Sequence, residues 1–198
     1  MQSVTTSSLG SHLTCEEPTD HEGTEYRPLR LLIPCHEYAP VGGGAAAVCH
    51  QLNKQYVSAG HQVVVLTMAF DNLPEQEWVD GVDVRRIQCG RSRKDMASCW
   101  EGLLWARRSI EMAETLHREA SFDVTHAHFV MPGGIVASHM KSQHGIPMLI
   151  TVHGSDVPGF NQERLRLAHT MVRPWWRRIC RTADWIVSPS KSLLDLLQ

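Results

Sequence analysis

From Leu29 onward, short apolar runs alternate with longer segments in which apolar residues recur at helical spacing. Strands are expected at residues 29–33, 63–66, 82–87, 124–128, 148–152 and 185–187. In Val63-Val64-Val65-Leu66 and Met148-Leu149-Ile150 successive positions are apolar, so both faces need cover, as inside a parallel sheet. Val82-Asp83-Val84-Arg85-Arg86-Ile87 mixes charge into the pattern and is expected at a sheet edge. Between the strands, Val48, Cys49, Leu52 and Tyr56 mark a helix closed by Gly60, and Leu103, Ala106, Ile110, Ala113 and Leu116 mark a second. Residues 133–142 make a third, closed by Gly145, and Pro174 suits the first position of another. This alternation predicts a doubly wound α/β fold, a mostly parallel Rossmann-like sheet with helices on both faces. Residues 1–28 carry few large apolar side chains and are expected to form a disordered polar tail, leaving 29–198 as the folded unit.

Composition narrows the class. With 42% hydrophobic and 20% charged residues among 198, the chain is an ordinary soluble globular protein, long enough to build a core without staples. A net charge of −2 supplies no basic field, so nucleic acid is not an expected partner. The six cysteines include no CxxC pair and read as reduced thiols rather than as a zinc or thioredoxin motif. The first residues lack a cationic and an apolar region, and no apolar run approaches the roughly 20 residues that span a bilayer. The expected location is cytoplasmic, at most peripheral to a membrane. A peripheral contact would run through Arg164, Arg166, Arg173, Arg177, Arg178 and Arg181 with Trp175 and Trp176, since Arg and Trp suit anionic headgroups. A solvated helix with its tryptophans in the core is the alternative.

Ligands of such sheets bind beyond the carboxyl ends of the strands. After the first predicted strand, Gly42-Gly43-Gly44 leads into a helix, where bare backbone and free N–H groups favour an anion. Gly42, Gly44 and Ala47 also fit G-x-G-x-x-A with Asp71 as ribose acid, which keeps an NAD-dependent oxidoreductase as an alternative, although residues 34–41 intervene between strand and glycines. His126 and His128 lie on one side of their strand, and His153 and Asp156 follow the next, so a metal-dependent hydrolase is a further alternative. Ser188-Pro189-Ser190 reads as a helix N-cap.

The run Tyr38-Ala39-Pro40-Val41-Gly42-Gly43-Gly44, then Ala59-Gly60-His61-Gln62-Val63, resembles the opening of family 4 glycosyltransferases, GT-B enzymes with two Rossmann-like domains. Gly81-Val82-Asp83-Val84, residues 123–128, Gly145-Ile146-Pro147, residues 151–156 and residues 183–190 match in the family's order. The resemblance implies the N-terminal, acceptor-side domain of a retaining enzyme that moves a sugar from a nucleotide-sugar to the hydroxyl of a carbohydrate or lipid-linked acceptor. It implies that Gly43 and Gly44 approach the donor diphosphate, that His153 stands at the reaction centre, and that Tyr38, His128 and Asp156 line the pocket. No cofactor and no metal are implied. Ala46 replaces an acidic residue found in many members, and the family's nucleotide-binding second domain has no counterpart in these residues, so it is expected to be separately encoded or lost. The competing expectation is a truncated, non-catalytic binding domain of the same fold.

Overall fold

The computed structural model describes residues 2–5, 27–94, 96–154 and 162–195. Its elements in chain order are β1 (Gln2–Thr5), β2 (Arg30–Pro34), α1 (Gly44–Ser58), β3 (Gln62–Met68), β4 (Gln76–Val79), β5 (Val82–Ile87), α2 (Cys99–Glu119), β6 (Val124–His128), α3 (Gly133–His144), β7 (Met148–Thr151), α4 (Gln162–Thr182), β8 (Trp185–Ser188) and α5 (Lys191–Asp195). They build one sheet in the order β1-β8-β7-β6-β2-β3-β5-β4. Six strands run parallel, flanked by antiparallel edges at β1 and β4. The predicted doubly wound α/β fold is the observed one.

Three expectations are corrected. β5 is an inner strand, paired with β3 on one side and β4 on the other. Its charges are neutralised in place: Arg85 bonds both Asp83 oxygens at 2.9 Å, and buried Arg86 reaches Glu77 at 2.7 Å and the Pro74 carbonyl at 2.9 Å. The edge belongs to β4, folded back by Asp80-Gly81, both at positive φ, the dipeptide that tight hairpins favour. The polar tail includes the strand β1, which adds to β8, while residues 6–26 lie outside the described residues. Pro174 also falls inside α4 rather than at the start of a helix.

The direction of winding explains where a ligand can sit. From β2 the chain moves outward through β3 to β5, with α1 covering Leu31, Ile33, Val63, Val65, Val82 and Val84. From β6 it moves the other way through β7 to β8, with α2 and α3 over Leu32, Val64 and Leu66, and α3 and α4 over Ile150 and Ile186. The two directions part between β2 and β6, which opens a crevice at their carboxyl ends. The first turn of α3 seats tightly there: a Cβ on Gly133 would lie 2.6 Å from the carbonyl oxygens of both His128 and Pro34.

Because both obstacles are backbone atoms of central strands, Gly133→Ala is expected to destabilise the fold by about 1–3 kcal/mol, the usual cost of overpacking. Urea denaturation measures it; an unchanged midpoint would show that α3 is free to shift.

Candidate functional site

Residues 35–43, between β2 and α1, fold into a packed loop. Tyr38 and Val41 are buried and closed into a turn by a bond from Val41 N to the Tyr38 carbonyl at 2.9 Å. Gly42 has φ +106°, and a Cβ there would stand 2.8 Å from that of Glu37, so packing and backbone both demand glycine. Gly43 and Gly44 differ: each is exposed, and a Cβ would meet nothing within 4 Å. Gly43 caps α1 without a side-chain bond, and the helix's first turn holds no acidic residue. Its N–H groups and positive dipole end therefore face open space, where an anion would be stabilised.

A buried cation, not foreseen from the sequence, braces this loop. The Arg91 guanidinium donates to the carbonyls of Arg93 at 2.8 Å, Lys94 at 2.9 Å and His36 at 3.2 Å, and stands 3.8 Å from a Glu37 oxygen. It ties the segment after β5 to the loop after β2. Glu101 fixes the same segment, accepting from the backbone N–H groups of Ser92 at 2.9 Å and Ser98 at 2.6 Å while Ser98 caps α2. Those donors hold its carboxyl down to about 2. A buried Arg after a strand was the available signal, but its partners are main-chain oxygens, which leave no mark in sequence.

Across the crevice lie three histidines. His126 is saturated, with Nδ1 3.0 Å from the Tyr56 hydroxyl and Nε2 2.7 Å from the Thr151 hydroxyl. His128 Nδ1 pairs with His153 Nε2 at 3.1 Å, and its own Nε2 is buried without a hydrogen-bond partner. The His153 ring packs on Phe129, with centroids 4.6 Å apart. Burial holds His153 down to about 4 and, with help from His153, His126 down to about 3; His128 is depressed by burial as well. All three are neutral imidazoles at neutral pH, suited to hydrogen bonding a polar ligand and not to binding phosphate by charge.

The other expected site residues divide. Tyr38 lies in the core beneath α1, not on an open pocket wall, its hydroxyl 3.1 Å from His50 Nδ1, while His50 Nε2 stands 3.1 Å from Asp80. His128 is equally enclosed. Asp156 lies outside the described residues, as do the side chains of Arg164 and Arg166. Ser190 does cap α5, accepting from Leu193 N at 3.2 Å. For a dinucleotide fingerprint, Ala47 would have to pack against the sheet, but it is exposed and Ala46 is the buried residue. For the hydrolase set, His126 has no nitrogen to spare. The structure instead brings together a different trio: the sulfurs of Cys35 and Cys49 and a ring nitrogen of His128 lie within 4.8 Å of one another.

The depressed histidines set a pH dependence. Unfolded histidines titrate near 6.5, so as pH falls from 6.5 the unfolded chain takes up protons that the folded rings refuse, and stability drops. Glu101 and Glu114, both held low, add their own losses only below about 4.5. At pH 5 the cost is about 2 kcal/mol for each of His126 and His153. Denaturation at pH 5.0 and 7.5, with EDTA to keep metals from competing for the rings, should show the difference, reduced in His126→Gln. Equal stability at the two values would contradict it.

Comparison with known proteins fits this geometry. The chain is 29% identical over 177 residues to an uncharacterized glycosyltransferase of Methanocaldococcus jannaschii, with 84% of this chain and 41% of that protein covered. It thus spans about two fifths of the length of that relative. Two structures of sucrose-phosphate synthase from Thermosynechococcus elongatus share the fold. One has TM-score 0.62 at 16% identity over 85% of this chain and 81% of that one; the other has 0.63 at 20% identity over 80% and 41%. The fold is that of the N-terminal half of a GT-B enzyme. The family model for Glycosyltransferase Family 4 matches residues 42–198, well over half of the sequence, and the chain belongs to that family.

Proposed function

We propose that this chain is the acceptor-side half of a retaining glycosyltransferase, moving a sugar from a nucleotide-sugar to an acceptor hydroxyl. The observation that supports it best is the open space above Gly43 and Gly44 at the start of α1, on the same sheet edge as neutral His153. The helix terminus would meet the developing charge of the leaving diphosphate, and His153 would hydrogen-bond the transferred sugar as charge redistributes. Magnitudes require a second half. A helix N-terminus contributes roughly 0.3–2 kcal/mol to a nearby anion, whereas enzymes lower barriers by about 8 kcal/mol or more. The nucleotide would therefore be gripped mainly by a second domain closing on this crevice.

Two substitutions separate ligand contact from structure. Gly44→Ala meets no protein atom and gains helix propensity, so stability should hold or rise while donor affinity falls. His153→Ala should slow transfer by about 2–4 kcal/mol of activation free energy, as loss of a transition-state donor does. Calorimetry with a panel of nucleotide-sugars and radiolabelled transfer assays, on this chain alone and paired with a nucleotide-binding GT-B domain, provide the readout. Turnover is expected only in the pair. Transfer by the chain alone, or a His153→Ala rate within threefold of the parent at matched folded fraction, would overturn the assignment.

The acceptor side carries its own expectation. On α4, Trp176 and Ile179 face the core, while Trp175, Arg173, Arg177, Arg178 and Arg181 are exposed. An exposed tryptophan among arginines fits an anionic lipid surface, although no helix among the described residues is long and apolar enough to cross a membrane. Liposome co-sedimentation should show binding to anionic over neutral vesicles, weakened by Trp175→Ala and by Arg177→Glu; equal binding to both, or none, rejects this face.

A further inference from the structure

We propose that Cys35, Cys49 and His128 form a zinc site at the switch point of the sheet. They come from three elements, the segment leaving β2, helix α1 and the end of β6, and all three side chains are buried. Their ligand atoms already lie within 4.8 Å of one another. In a tetrahedral site with Zn–S near 2.3 Å and Zn–N near 2.0 Å, such atoms stand roughly 3.5–3.8 Å apart, so closing by about 1 Å completes the set.

The second observation is the orphaned nitrogen. His128 Nε2 is fully buried and has no hydrogen-bond partner, while Nδ1 is engaged with His153. If Nδ1–H donates to His153, Nε2 carries a bare lone pair, which is what a metal takes. Asn53 Nδ2, 3.6 Å from the Cys49 sulfur, supplies the outer donor that thiolate ligands commonly receive.

Chemistry selects the ion. Two thiolates and one imidazole are soft to borderline ligands, which disfavours magnesium and calcium. Two negative sulfurs cancel a divalent charge, leaving a neutral buried centre, whereas a monovalent ion would leave a net charge in the core. Binding exchanges two thiol protons for one zinc ion: both S–H bonds break, two S–Zn bonds and one N–Zn bond form, and two protons pass to solvent, with no change in oxidation state. Water supplies the fourth ligand. Burial raises the Cys49 thiol, whose proton the metal displaces on binding.

Such a centre would clamp the start of α1, and with it Gly43 and Gly44, to the two central strands. It would also fix the His128 tautomer that donates to His153; this consequence rests on the role proposed above for His153, but the metal site does not.

The test uses the reduced, EDTA-treated chain titrated with zinc chloride against a chromophoric chelator. One equivalent is expected. Cys35→Ser and Cys49→Ser should each weaken binding by more than about 100-fold, beyond the loss of an outer-shell partner, while Cys99→Ser, at an exposed thiol, changes nothing. Should the serine variants fail to fold, cobalt(II) on the unaltered chain decides. Near-ultraviolet charge transfer from two thiolates with tetrahedral visible bands supports the site; a spectrum without thiolate bands overturns it. Absence of stoichiometric zinc, zinc that survives both serine variants in folded protein, or zinc lost in Cys99→Ser also overturns it.

Discussion

The close seating of α3 on the carboxyl ends of β2 and β6 is the constraint on which the rest of the molecule depends. Gly133 leaves the helix no clearance beyond van der Waals contact with the Pro34 and His128 carbonyls. Both strands therefore end at one level, and the segments that follow them, residues 35–43 on one side and Phe129 onward on the other, must leave the sheet together. A sheet wound in one direction would bury this edge under a connection. The change of direction between β2 and β6 leaves it for a ligand.

That placement dictates the electrostatics. Polar side chains at the ends of the central strands lie on the floor of the crevice, buried beneath α1 and its loop. A charged imidazole is costly there, so the three rings are neutral: hydroxyls satisfy both nitrogens of His126, while His128 and His153 bond each other through one nitrogen apiece. Cations are held differently. Main-chain carbonyls converge on the buried Arg91, and Glu37 stands nearby. The first turn of α1 adds backbone N–H groups that face open space.

The sheet was largely legible in sequence because its signal is redundant. Runs such as Val63-Val64-Val65-Leu66 are explained only by cover on both faces, and the segments of α1 and α2 repeat their apolar spacing over successive turns. What escaped was set by pairing. β5 looked like an edge because its charges are visible in sequence while the partners that neutralise them, Glu77 and Pro74, lie on the unrecognised β4 side of the Asp80-Gly81 hairpin. The glycines and His153 were readable as strand-end residues. Their division of labour was not, because a Gly42 enclosed by Glu37 and Ala46 and a Gly44 facing open space are the same letter. Cys35 and Cys49 carry no spacing motif; only the return of α1 over β2 makes them neighbours.

The distribution of unsatisfied polar atoms follows from the same geometry. Among the described residues, buried side-chain atoms without a hydrogen-bond partner include His36 Nδ1, Trp105 Nε1 and His128 Nε2. The His36 ring packs 4.6 Å from Phe129, which in turn packs at a tilt against His153. Apolar substitutes at these positions would relieve the desolvation of each atom. A core selected for stability alone has no use for an imidazole whose second nitrogen faces nothing. His36 follows β2 and His128 ends β6, so their unpaired nitrogens lie beside the crevice where the sheet changes direction, and each costs stability that an apolar side chain there would not.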